Sequence, residues 1–282
     1  MRYGGSFPVG DWPDIGALRD IAQALDEGGM DYVSLSTHVL SMPLGTLPDQ
    51  PLHHYVGPYR DPLVLFSYLA GLTQRIGFRT AVLILPLYPT ALLARMAGDL
   101  SIISGGRFEL GVGISWNPRE YEALGQALHD RGRRMEEQII LLRRMWTEPH
   151  VTFEGRWHKL EAMGLNQLPP RIPILLGVGF EDHLLRRAAR LGDGWIPLGD
   201  PIEPLQRLRR FLEEEGRDVA SFQIPGRLMA GQGEPQDWVE HVRRLYAAGI
   251  NEVEIFPGRG LSGIDAAAGL LQARKVLFEE FG

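Results

Sequence analysis

Cysteine is absent from all 282 residues, which excludes disulfides, thiolate metal sites and a cysteine nucleophile. No apolar run approaches the ~20 residues that span a bilayer. The opening Met1-Arg2-Tyr3-Gly4-Gly5-Ser6-Phe7-Pro8 lacks the apolar stretch of a secretion signal, so a cytoplasmic protein without membrane association is expected. Long basic runs are missing as well. The formal net charge is −6, and the arginine pairs Arg186-Arg187, Arg209-Arg210 and Arg243-Arg244 fall inside predicted helices as solvated faces. Nucleic acid, which demands a basic patch, is not expected as a partner. The first strand carries no paired histidines of the kind a metal-dependent hydrolase barrel would need, so no metal is expected. Gly113-Ile114-Ser115-Trp116-Asn117 lacks the second flanking glycine of a nucleophile elbow, which argues against a serine hydrolase.

What remains is an ordinary globular composition, 44% apolar and 23% charged, in which strand and helix signals alternate from end to end. Strands are predicted over residues 3–9, 31–40, 76–85, 108–112, 172–178, 194–198, 222–229 and 251–256. Helices are predicted over 14–27, 61–74, 89–103, 131–147, 182–191, 203–215, 236–248 and 264–281, with a further helix opened by Asn117 and Pro118. Met135, Ile139, Leu142 and Trp146 share one face of the 131–147 helix and read as core. Residues 151–158 look like a small hairpin inserted before the fifth strand. Eight strand–helix pairs with no linker between them predict one domain over residues 1–282. They fit an α/β fold, a closed (β/α)8 TIM barrel. An open doubly wound sheet would place its dinucleotide fingerprint after the first strand. Here that strand leads into Asp11-Trp12-Pro13, and the later Gly111-x-Gly113-x-x-Trp116 puts Trp where the third glycine belongs.

In such a barrel the chemistry sits at the C-terminal ends of the strands. Those ends are mostly apolar and aromatic, a composition better suited to binding a flat ring than to hydrolysis. His38 is the one histidine among them. It reads either as a packed or capping histidine or as a general acid/base, since imidazole titrates near neutrality. The other histidines show no metal-binding pattern, and His53-His54 read as surface residues of a Pro-rich connection. The stretch from Gly106 to Gly125 is the most informative: a buried strand, two glycines at its C-terminal end that admit close approach of a flat ligand, then a well-capped helix.

Five blocks of the chain resemble the bacterial luciferase-like flavin and deazaflavin oxidoreductases. They are Leu35-Ser36-Thr37-His38; Arg75 to Pro86; the Gly106–Gly125 stretch; Arg131-Gly132-Arg133-Arg134-Met135-Glu136-Glu137; and Arg186 to Trp195. The resemblance covers nearly the whole chain. It implies a (β/α)8 barrel binding the deazaflavin coenzyme F-420 (hereafter F420), or alternatively FMN, at its C-terminal mouth. It assigns His38 as the catalytic residue near the redox centre. The cofactor would be held by Thr37, Ala81, Val82, Gly113, Trp116, Asn117, Gly177, Val178, Gly179, Phe180 and Trp195, with a cis peptide at Ala81–Val82 behind the ring. Trp116 stands where some sugar-phosphate dehydrogenases of the family carry a catalytic glutamate, so their mechanism does not transfer. The phosphate turn also departs from the family. In Gly177-Val178-Gly179-Phe180-Glu181-Asp182 a Phe replaces a hydroxyl, and two carboxylates are placed to cap the helix themselves and repel a phosphate. The implied activity is hydride transfer between F420 and a small apolar organic substrate. The alternatives are an FMN-dependent monooxygenase using reduced flavin and O2, and a non-catalytic flavin-binding barrel. Family members are often homodimers.

Overall fold

A computed structural model describes residues 1–7, 15–43, 60–258, 261 and 263–282. His53, His54 and most of the connection after the second strand lie outside the described residues, as do the expected ends of the first strand and of the helix before residue 15.

The chain alternates strand and helix: β1 (Arg2–Ser6), α1 (Ile15–Glu27), β2 (Tyr32–Leu35), α2 (Pro62–Ala70), β3 (Gly77–Thr80), β4 (Leu83–Ile84), α3 (Thr90–Ile103), β5 (Phe108–Gly113) and α4 (Pro118–Ala123). It continues with α5 (Arg131–Thr147), β6 (Val151–Glu154), β7 (Lys159–Met163), β8 (Ile174–Val178), α6 (Asp182–Leu191), β9 (Gly194–Pro197), α7 (Ile202–Glu214), β10 (Pro225–Met229), α8 (Pro235–Ala247), β11 (Glu252–Phe256) and α9 (Gly263–Phe281). The strands pair in parallel in the order β10-β11-β1-β2-β3-β5-β8-β9. Backbone bonds from Trp195 N to Gln223 O (2.9 Å) and from Gln223 N to Asp193 O (3.1 Å) link β9 to the segment leading into β10. The result is a nearly closed eight-stave α/β barrel, as the alternation predicts.

Local chemistry fixes the boundaries. Asp61 caps α2 by accepting from Leu63 N and Val64 N, with Pro62 in the first turn, as short side-chain acceptors and a first-turn proline do. That helix stops at Ala70, short of the expected Gln74. The Arg107 guanidinium takes the carbonyls of Ala70 and Thr73 at 2.9 and 3.2 Å, closing the end through tertiary contact. The expected long third strand is broken. β3 pairs with β2 and with the start of β5 (Phe78 beside Phe108), whereas β4 pairs with the end of β5 (Leu83 beside Val112). Between them the Ala81–Val82 peptide is cis, and Leu85–Leu87 forms a 3-10 turn around Pro86. The hairpin is longer than expected, since β7 continues to Met163. Met135, Ile139, Leu142 and Trp146 are all buried, as their spacing predicts.

The barrel interior is ionic rather than purely aliphatic. Arg79 is fully buried and donates from Nε to Glu109 Oε2 at 2.7 Å and from its terminal nitrogen to Glu252. Tyr32 donates to the same Glu252 oxygen at 3.0 Å, and Arg2 bridges Glu109 and Glu252. Tyr32 lies across the axis over Gly4, where an added Cβ would meet its ring at 2.0 Å. Desolvation pushes the Glu109 carboxyl up, but Arg79 and Arg2 outweigh it and hold it below the usual carboxylate range. Removing either partner would leave an uncompensated buried charge and destabilise the barrel.

Candidate active site

Three side-chain groups lie at the C-terminal ends of β2 to β8. The first is built on His38. Its Nδ1 lies 2.6 Å from Glu120 Oε2, and Glu120 is 1% exposed. The other carboxylate oxygen accepts from Val39 N at 2.8 Å and Leu40 N at 3.2 Å, and Asn117 Nδ2 reaches Oε2 at 3.2 Å. Glu120 thus ties the start of α4 to the segment after β2. Burial pushes its carboxyl up, yet the His38 contact and the two backbone donors prevail and hold it below the ordinary value. A carboxylate in that state is an acceptor suited to an Nδ1 proton and favours that imidazole tautomer. Trp116 stands edge-on to the same ring, with centroids 6.4 Å apart and an interplanar angle of 68°. Thr37 is buried beside it and donates to the His38 carbonyl at 3.1 Å.

The turn that delivers these residues is tightly specified. Ser115 takes a left-handed φ of 53°, uncommon for a residue with a side chain. Tyr121 reaches back from α4 to donate to Ile114 O at 2.5 Å. Asn117 caps α4 through Oδ1 to Arg119 N at 3.0 Å and is fully buried. Its two polar side-chain atoms thus reach the α4 cap and Glu120.

Val82 supplies the second group. Its side chain lies against two glycines on neighbouring staves: a Cβ added at Gly113 or at Gly177 would come within 2.7 Å of one of its methyls. Both glycines are needed for Val82 to sit there, and together they form a narrow apolar ledge with backbone on either side. Gly111, one layer deeper, has its absent Cβ 1.9 Å from Thr80 O. A ledge of this kind fits one face of a flat heterocycle.

The turn after β8 forms a third group. Trp195 is fully buried and donates from its indole nitrogen to Val178 O at 3.1 Å. Its ring meets Phe180 edge-on at 5.9 Å. Leu176, its partner in register, reaches toward Gly192 beneath α6, so Trp195 belongs to the layer between strand and helix and braces Phe180 from behind. Glu181 heads α6 but makes no side-chain cap, contrary to the expectation for these carboxylates. Its Oε2 instead folds over Gly179, 2.5 Å from the position of an added Cβ. Asp182 pairs with Arg207 at 2.7 Å. The Glu181 carboxylate thus places negative charge over the glycine turn at the start of α6.

Glu120 is the residue missed in the sequence. The available signal is its place three residues after Asn117, where a capping box puts Glu. It faces His38 instead. His158, set aside in the sequence, is also a partnered residue: Nδ1 contacts Glu137 Oε1 at 2.8 Å and Nε2 contacts Thr90 Oγ1 at 2.6 Å. A cavity of about 410 Å³ lies there, lined among others by Tyr88, Thr90, Arg134, Gln138 and Trp157. It shares no residue with the His38 and Val82 groups. Among the described residues no cluster of three or more metal-ligating side chains occurs, and no helix is long and apolar enough to cross a membrane.

Residues 2–269 match the sequence profile of the family described as luciferase-like monooxygenase. An uncharacterized protein of Mycobacterium tuberculosis is 36% identical over 201 residues, 70% of this chain and 67% of that protein. An F420-dependent glucose-6-phosphate dehydrogenase of Kineococcus radiotolerans is 31% identical over 213 residues, 72% of this chain but 60% of the relative's length. Among solved structures, an F420-dependent secondary alcohol dehydrogenase in complex with an F420–acetone adduct superposes with a TM-score of 0.81 at 13% identity, covering 98% of this chain and 99% of that one. That likeness establishes the fold. The match over almost the whole length, on a barrel of the same architecture, places this chain in the luciferase-like monooxygenase family of oxidoreductases.

Proposed function

We propose that this protein is an F420-dependent oxidoreductase that moves a hydride between the deazaflavin ring and a carbon of a small organic substrate. The observation that carries the reading is the His38–Glu120 pair at the same barrel mouth as the Val82 ledge. A relative named for F420 and a structural neighbour bound to it support the choice of cofactor. A bound deazaflavin would supply the two-electron hydride acceptor or donor. Ala81, Val82, Gly113 and Gly177 would hold its ring, and Trp116 would border it beside His38. His38 would exchange a proton with the substrate oxygen through Nε2, while Glu120 holds Nδ1 and stabilises the imidazolium that forms. The buried Trp195 and the half-buried Phe180 would exclude water behind the turn. FMN with O2 remains the alternative, since the family's own description is that of monooxygenases.

Titration of the purified protein with F420 and with FMN tests the reading. Saturable F420 binding is expected, together with F420-dependent turnover that His38→Ala lowers by roughly 100-fold or more while cofactor binding persists. Binding of FMN alone would transfer the chain to the monooxygenase reading. Binding of neither ring would leave only a structural barrel.

A further inference from the structure

Arg227 is a cation that the hydride chemistry does not use. Gly226 faces the helical layer, because a Cβ there would run into Leu245 of α8 at 2.5 Å. Strand alternation therefore turns Arg227 toward the barrel axis. Its register partner is Glu254, which in turn neighbours Gly4 beneath the Tyr32 ring. The deeper inward arginines, Arg2 and Arg79, are each bound to carboxylates. Arg227 is exposed and packs over the Phe256 ring at 4.4 Å. Among the described residues its guanidinium makes no hydrogen bond or ion pair. Glu254, below it, is engaged by Ser34, and burial raises its carboxyl above the ordinary range, so it offsets Arg227 only in part. The strand order divides the mouth. The Val82 ledge belongs to the half built by β3, β4, β5 and β8, whereas Arg227 and His38 border the contiguous half β10-β11-β1-β2.

We propose that Arg227 receives an oxyanion of the substrate, which is therefore a small molecule carrying a carboxylate or phosphate in addition to the carbon that exchanges hydride. The fit is chemical. A guanidinium backed by an aromatic face presents a fork of N–H donors that matches a planar or tetrahedral oxyanion, and among the described residues no acceptor is hydrogen-bonded to it. This departs from the small apolar organic substrate that the family resemblance implies, and it rests on the oxidoreductase reading for which group reacts.

Calorimetry on cofactor-free protein tests it, with lactate as the carboxylate probe and inorganic phosphate as the other. Wild type is expected to bind one of the two saturably, which also identifies the oxyanion. Arg227→Gln should weaken that binding roughly 10- to 100-fold, and Arg227→Lys should recover part of it. Unchanged binding in Arg227→Gln, or no saturable binding of either probe to wild type, overturns the proposal. The same variants titrated with F420 should keep their cofactor affinity within about twofold. A parallel loss there would assign Arg227 to the cofactor's own anionic groups and also overturn it. Arg227-dependent probe binding in a protein that takes up no F420 would uphold the oxyanion seat while removing the functional reading beneath it.

Discussion

A single carboxylate decides what His38 can do. Glu120 contributes two acceptor atoms to four donors and is almost wholly out of water. Its negative charge, not its shape, sets the imidazole tautomer. Glu120→Gln keeps the volume but places an amide against the Asn117 amide and the His38 Nδ1 proton. Turnover is expected to fall roughly 10- to 100-fold with F420 affinity nearly unchanged, measured by steady-state kinetics and ligand titration. An unaltered turnover would demote the pair to a structural contact. Glu181 works in the opposite sense. Its carboxylate over Gly179 repels any phosphate drawn to the start of α6, where the first backbone N–H groups have no helical partner. Glu181→Gln should tighten binding of the phosphate-bearing cofactor by about two- to fivefold, read by fluorescence titration, and a weakened complex would show that the carboxylate is not in the way.

Between elements, one residue holds the inserted hairpin. Glu137 on α5 accepts from Arg156 N at 2.7 Å, from Trp157 N and His158 N at 2.9 Å each, and from His158 Nδ1. His158 then passes the connection to Thr90 at the start of α3, whose hydroxyl also takes Gln138 Nε2 at 3.0 Å. Three elements are joined by one chain of polar contacts, and none of the three is a barrel stave. Glu137→Ala is expected to cost roughly 2–3 kcal/mol in denaturant unfolding and to expose the 151–163 segment to proteolysis, while F420 binding is retained. A stability close to wild type would mean that the hairpin's other contacts, among them Trp157 Nε1 to Asp130 and Arg144 to Thr152 O, suffice to hold it.

The whole molecule carries a bias in its titration. Asp26, Glu109, Glu120, Glu136 and Glu137 all have carboxyls held below the ordinary range. Desolvation pushes each of them up, and hydrogen bonds and neighbouring cations outweigh it. A folded-state value below the unfolded one means that the native chain binds fewer protons, so this stabilisation is complete above the unfolded carboxylate range and disappears as pH falls through the lowered values. Glu254 runs the other way: its raised value favours the folded state at low pH and opposes it as pH rises. With Glu148, which Arg144 also holds low, six groups against one predict a urea midpoint that declines steadily below about pH 4.5. A midpoint that held or rose in that window would contradict the balance.

Much of this was present in the order of residues. Strict alternation of β-branched runs and amphipathic stretches requires parallel staves with crossover helices, and the capping residues Asp61 and Asn117 mark where helices begin. His38, Val82, Gly113 and Gly177 were singled out by the family resemblance, and each stands near a strand's C-terminal end, where a barrel collects its chemistry. The third strand was misread as continuous because hydrophobic periodicity does not register a change of pairing partner, and β3 and β4 meet different ends of β5. The inward Arg2, Arg79, Glu109, Glu252 and Glu254 carry no mark of burial in the sequence, since only closure of the cylinder makes strand residues of one parity face each other. Glu120, 82 residues from His38, and Arg227 needed the tertiary structure for the same reason. The sequence states each residue's chemistry and local geometry, but a site is a set of distances between staves, and those exist only once the barrel has closed.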